Sequence, residues 1–162
     1  MKLVIHGRLP GLNEFIEQNR RNYHAGAKLK KDYQFLVEMS AKKCLKNWKP
    51  TGPVRMRYRW YEKNKKRDKD NVSAGGRKII QDALVESGYL KNDGWNDIVG
   101  FSDDFYIDKD DPRIEVDIID GVETNVFDKE EIHHNCCVQV LSNSVTGEVS
   151  IGWWYENEDK NV

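Results

Sequence analysis

The segment from Val54 to Lys63, VRMRYRWYEK, alternates apolar and cationic residues at a strict period of two. Successive side chains of a strand leave by opposite faces, so Val54, Met56, Tyr58 and Trp60 share one face and Arg55, Arg57 and Arg59 the other. The apolar face belongs to a core, and the guanidinium face meets either solvent or a phosphate backbone. Arginine suits phosphate because its planar fork donates two hydrogen bonds to one anion, which makes Arg55, Arg57 and Arg59 candidate DNA contacts. Charged outer faces are also ordinary on antiparallel sheets.

Around this strand the other elements fall into place. Lys2–His6 reads as a first strand, followed by a Gly/Pro/Asn loop, GRLPGLNEFIEQNRRN, that carries Arg20 and Arg21. From about Ala27 to Trp48 apolar residues recur at threes and fours (Leu29, Tyr33, Leu36, Val37, Ala41, Cys44, Trp48), one face of an amphipathic helix that PTGP then ends. Ile79, Ile80, Ala83 and Leu84 mark a second helix, capped by Gly88. DIVGFSDDFYID and PRIEVDII read as two more strands with a turn at Pro112. The order strand, helix, strand, helix, strand, strand predicts an α/β (α+β) domain over residues 1–121, with a mixed four-stranded sheet and two main helices. Residues 122–162 read as a polar linker and a C-terminal β-hairpin around NSVTG.

With 162 residues, the chain has room for one main domain plus this extension. It contains no apolar run of membrane-spanning length, and MKLVIHGRLPG is too short an apolar stretch for a signal peptide, so a cytoplasmic, non-membrane product is expected. Cys44, Cys136 and Cys137 are expected as free thiols, since the last two are sequence neighbours poorly placed to bond each other.

Charge is segregated along the chain. Residues 1–67 hold 18 Lys+Arg against 5 Asp+Glu, a net of +13, and residues 68–162 hold 8 against 22, a net of −14. A basic half suits a polyanionic partner, and the acidic half either holds a divalent metal or balances the charge. The crossover falls on RDKDN, Arg67–Asn71, where Asp68 and Asp70 stand one residue apart. On extended backbone they would project together and could share a ligand. Repelling carboxylates side by side are costly without a cation, and their hard oxygens match magnesium, with manganese as a substitute. Lys63, Lys65, Lys66 and Arg67 lead up to the pair and could bring a phosphodiester to the metal. The glycine-interrupted SAGGRK that follows would expose backbone N–H groups beside Arg77 and Lys78. His133 and His134 make a poor metal pair, because neighbours on a strand point apart and no third ligand is evident.

Together RDKDN, RKIIQDALVESG and YLKNDGW resemble the RusA family of Holliday-junction resolvases of phages and prophages, over about Lys2–Gly121 and most sharply over Arg67–Asp93. By position, the resemblance implies that Asp68, Asp70 and Asp93 are the metal-site aspartates. Asp93 matches as the second member of an acidic doublet whose first member here is Asn92. The family's catalytic lysine matches Lys78 counted back from Asp82. Counted forward from Asp70 it falls on Ala74, with SAGG as an inserted turn, and Arg77 is the runner-up. The resemblance further implies a magnesium-dependent homodimer that nicks a four-way DNA junction symmetrically. Lys65, Lys66, Arg67 and Arg77 join the sheet arginines as expected DNA contacts. Two other functions fit the residues less fully: a catalytically inactive phage DNA-binding recombination protein, and a metal-dependent phosphohydrolase of small nucleotides, for which the basic half carries more charge than is needed.

Overall fold

A computed structural model describes residues 1–121 together with the strands Cys137–Ser142 and Val149–Trp154. The chain divides into two units, Met1–Thr124 and Asn125–Val162.

The first unit is a four-stranded mixed sheet with three helices, in the order β1 (Lys2–His6), α1 (Leu12–Arg21), α2 (Tyr23–Leu45), β2 (Val54–Glu62), α3 (Lys69–Glu86), β3 (Ile98–Ile107) and β4 (Arg113–Asp120). In space the strands run β1-β4-β2-β3. β4 is antiparallel to both β1 and β2, whereas β3 lies parallel to β2, with α3 as the crossover such a pair requires. Although β3 and β4 are consecutive, they flank β2 from opposite sides.

The period of two in β2 is obeyed throughout. Val54, Met56, Tyr58 and Trp60 are buried, beside Leu3 and Ile5 of β1 and Ile114, Val116 and Ile118 of β4. Val37, Ala41 and Leu45 of α2 and Val72, Ile79, Ile80, Ala83 and Leu84 of α3 complete one core. Leu36, expected on that face of α2, is instead exposed. At the end of α3, Tyr89 N donates to Leu84 O (2.8 Å) and Gly88 N to Val85 O (2.9 Å), with Gly88 at φ +71°. These are the two bonds of a Schellman stop, as the glycine signal anticipates.

The loop expected between β1 and the first long helix is shorter than it reads. Its Gly/Pro punctuation ends at Gly11, and α1 follows. The Gly11 N–H donates to Glu14 Oε2 (3.1 Å), and Asn13 N donates to Asn71 Oδ1 (2.8 Å), so a residue of α3 helps cap α1. Arg20 and Arg21 are therefore helical. α2 starts at Tyr23, its N-cap Asn22 accepting from His24 N (2.9 Å).

Among the described residues, no helix is long and apolar enough to cross a membrane, and Cys44 is free. In the second unit, β5 (Cys137–Ser142) and β6 (Val149–Trp154) pair antiparallel, Cys137 opposite Trp154 and Ser142 opposite Val149. His133, His134 and Cys136 lie outside the described residues.

Candidate active site

α3 carries most of the candidate chemistry along its length. Asp68 is its N-cap, on extended backbone (φ −69°, ψ 146°), and makes no capping hydrogen bond. Asp70 is already the second helical residue. Because a helix turns about 100° per residue, positions i and i+2 do not face one another. The pleat that would have aimed both carboxylates one way is absent. Neither carboxylate has a hydrogen-bond or ion-pair partner among the described residues. Asp68 lines a cleft of about 490 Å³ with Lys65, Arg67, Lys69 and Phe105, and the Lys69 ammonium stands 5.5 Å from the Phe105 ring centroid.

The cations leading to this cleft differ in freedom. Lys65 and Lys66 are exposed and make no ion pair. Arg67 is committed: it forks onto Glu62 (Nη2 to Oε1 2.6 Å, Nε to Oε2 3.1 Å) and donates Nη1 to Leu9 O (2.8 Å). That geometry ties the loop after β2 to the chain after β1, a positioning task.

The pair Gly75 and Gly76 does not form an open amide-lined turn. Both glycines are buried within α3, where a Cβ on Gly75 would sit 2.7 Å from Leu12 N and one on Gly76 would sit 2.6 Å from the Trp60 ring. α3 thus presses against the start of α1 and against β2 at a distance only glycine permits.

Further along α3, Lys78 Nζ donates to Asp93 Oδ2 (2.7 Å) and pairs with Asp82 Oδ1 (2.7 Å), whose other oxygen meets Lys30 Nζ (2.7 Å). Hydrogen bonds that Lys78 donates to Asp82 and then to Asp93 raise its pKa above the ordinary value. The Lys78 hydrogen bond and charge hold the Asp93 carboxyl below the usual carboxylate range. Lys78 lies eight residues beyond Asp70, about 12 Å of helix rise. The structure therefore brings Lys78 to Asp93 and leaves Asp68 and Asp70 at the helix start. No three His, Cys, Asp or Glu residues gather around a metal-sized space among the described residues. The donor chemistry at Asp68 and Asp70 fits a hard divalent cation, since both are uncompensated carboxylates; Asp93 is engaged elsewhere.

Arg77 forms an ion pair with Asp103 and lies 4.4 Å from the Phe101 ring centroid. Asp103 also accepts from the Trp60 indole (2.8 Å). Asp103, Asp82, Lys30 and Asn71 are not among the site residues expected from the sequence, where Asp82 serves only as the landmark for Lys78. Asn71 directly follows the aspartates and Asp82 lies in the motif that places Lys78, but nothing local marks Asp103 or Lys30.

The arginines of β2 lie on the sheet face opposite the core. Cross-strand carboxylates meet two of them: Arg57 Nη2 is 2.7 Å from Asp104 Oδ2, and Arg59 pairs with Asp117 and, at 3.6 Å, with Glu115. Lys2 and Arg113 converge on the same Glu115 (3.1 and 2.9 Å). Arg55 lies beside Gly100 of β3.

The model of a family described as endodeoxyribonuclease RusA matches residues 13–119, more than half of the chain. No curated protein matches the sequence significantly.

Proposed function

The chain belongs to the RusA endodeoxyribonuclease family, and from that premise we propose a magnesium-dependent nuclease that resolves four-way DNA junctions by paired cuts from a twofold dimer. A twofold enzyme suits a twofold substrate. The setting is the cytoplasm of a host cell carrying phage or prophage DNA, where such junctions arise. The observation that carries the reading is the pair of partnerless carboxylates, Asp68 and Asp70, in a stretch otherwise crowded with cations.

Asp68 and Asp70 would hold the metal ion, with Asp93 as a further ligand once released from Lys78. A divalent ion held there would supply Lewis acidity, lowering the pKa of a bound water and offsetting charge on a phosphate oxygen. Everything else falls to the chain's own groups. Lys65 and Lys66 attract the strand to the cleft. Lys78, exchanging a carboxylate for a phosphate oxygen, would neutralise the charge that grows there in the transition state. Arg67 supports the loop through Glu62 and Leu9.

Substituting Asp70→Asn should abolish junction cutting in magnesium while binding in chelator persists. Cutting at the normal rate by this variant would remove Asp70 from the site. The Lys78–Asp93 pair favours a second reading, a catalytically silent DNA-binding protein, because it occupies an oxygen a metal would need. An unsubstituted protein that binds junctions but never cuts them, with or without magnesium, would establish that alternative.

A further inference from the structure

Two residues beyond Asp93, Trp95 stands 95% exposed, with none of its indole spent on the core. A side chain of this size is rarely left so bare. It lines a cavity of about 330 Å³ with Gln81, Asp93, Ile98 and Phe101. Phe101 is itself half exposed, and the Arg77 guanidinium backs its ring.

The polar group of this cavity is held in place from below. Burial pushes the Tyr58 hydroxyl pKa up, and the hydroxyl donates to Met56 Sδ (3.2 Å) and accepts from Gln81 Nε2 (3.1 Å). The Gln81 carbonyl oxygen and second amide hydrogen remain open. A primary amide of this kind matches the adjacent donor and acceptor along a nucleobase edge. The cavity thus offers flat rings, one oriented amide and, at its rim, the Asp93–Lys78 pair.

We propose that the cavity lined by Trp95, Phe101 and Gln81 binds one unpaired nucleobase of branched DNA, stacked on Trp95, and so sets the adjoining phosphate beside Asp93. The occupant follows from what surrounds the indole. Lys91, Asn92 and Asn96 flank it, all exposed, and Lys91 has no ion pair, so a free cation stands near the indole to meet the phosphate of a base stacked there. Fully paired DNA keeps its bases stacked and cannot fill the site. The cavity therefore favours branch points, where bases open readily. This inference rests on DNA being the substrate, as in the function proposed above.

The test uses the full chain in chelator, a synthetic four-way junction with 2-aminopurine at the crossover, a linear duplex of the same length, and free dAMP. Trp95→Ala should bind the junction about tenfold or more weakly and lose the 2-aminopurine fluorescence change, with duplex affinity unchanged. Trp95→Phe should restore most of both. Equal losses on junction and duplex would overturn the proposal, as would no loss on either. Loss of a dimer by Trp95→Ala in sedimentation would also overturn it, and so would wild-type protein that answers free dAMP but not the junction. A wild-type protein that perturbs 2-aminopurine yet never cuts in magnesium would remove the nuclease reading and leave the base site standing. One that cuts junctions equally well after Trp95→Ala would do the reverse.

Discussion

Lys78 sits between two carboxylates, and its charge is what makes both of them tolerable so close together. Asp93 has its folded pKa depressed below the ordinary 3.8, so its contribution to stability is fully present above that value and lost as pH falls through the lower folded one. Lys78 is shifted upward, so its share is present below 10.5 and lost only as pH rises past its folded value. Between those limits the pair is fully charged. Replacing Lys78 with Met should return the Asp93 titration to near 3.8, read by carboxyl NMR shifts. Because Lys78 is 60% exposed, the loss of stability should stay below about 1 kcal/mol. Cutting should nevertheless fall by about a hundredfold or more if Lys78 meets the phosphate. An unmoved Asp93 titration would show that the 2.7 Å contact does not persist in solution, and an unchanged rate would leave Lys78 a structural residue. From sequence alone Lys78 and Asp93 were singled out through family resemblance. Their partner Asp82 could not be paired with Lys30, which lies 52 positions away, because a surface ion pair leaves no periodic trace.

Elements were legible where one face is buried and one is not. β2 announced itself because each of its alternate residues meets a different medium, and the end of α3 because Gly88 supplies the backbone conformation a Schellman stop needs. α1 was hidden for the opposite reason. It buries little of its own, and its start is capped by Asn71 from α3, a long-range contact that no local pattern encodes. The glycine pair in α3 misled similarly, since glycine marks an open turn and a tight crossing alike. Here it marks the crossing. Gly76→Ala tests the point, because intrinsic propensity alone should stabilise a helix by about 1 kcal/mol. A Cβ only 2.6 Å from the Trp60 ring must push that buried ring aside, and overpacking of this kind costs about 1–3 kcal/mol. Net destabilisation in urea unfolding is expected. A more stable variant would mean that Trp60 yields freely and that the crossing is looser than it stands here.

At the scale of the described molecule, the fold offsets part of the charge segregation of the sequence. Four basic residues before position 68 find acidic partners after it: Arg57 with Asp104, Arg59 with Asp117, Lys2 with Glu115 and Lys30 with Asp82. The outer face of the sheet, which looked in sequence like a row of guanidinium groups, is a ladder of opposite charges in which the added carboxylates of β3 and β4 compete with any phosphate. Among the described residues, cations without an ion pair include Arg55 at one end of that face and, away from it, Lys65 and Lys66 beside the cleft at the start of α3. Two DNA-binding surfaces are thus in contention, and counter-ion release distinguishes them. Each phosphate neutralised contributes about −0.9 to the slope of log affinity against log salt on duplex DNA. Removing a side chain that meets a phosphate should flatten the slope by about one unit, whereas removing one already satisfied by a carboxylate should leave it nearly unchanged. The double substitution Lys65→Ala and Lys66→Ala should flatten the slope by about two units for junction arms, with little change in urea stability. Arg57→Ala should leave the slope alone, since Asp104 already neutralises that guanidinium. A flattened slope for Arg57→Ala, with Lys65 and Lys66 silent, would move the DNA onto the open face of the sheet. Asp104 and Asp117 would then have to release their arginines to the phosphates each time the DNA binds.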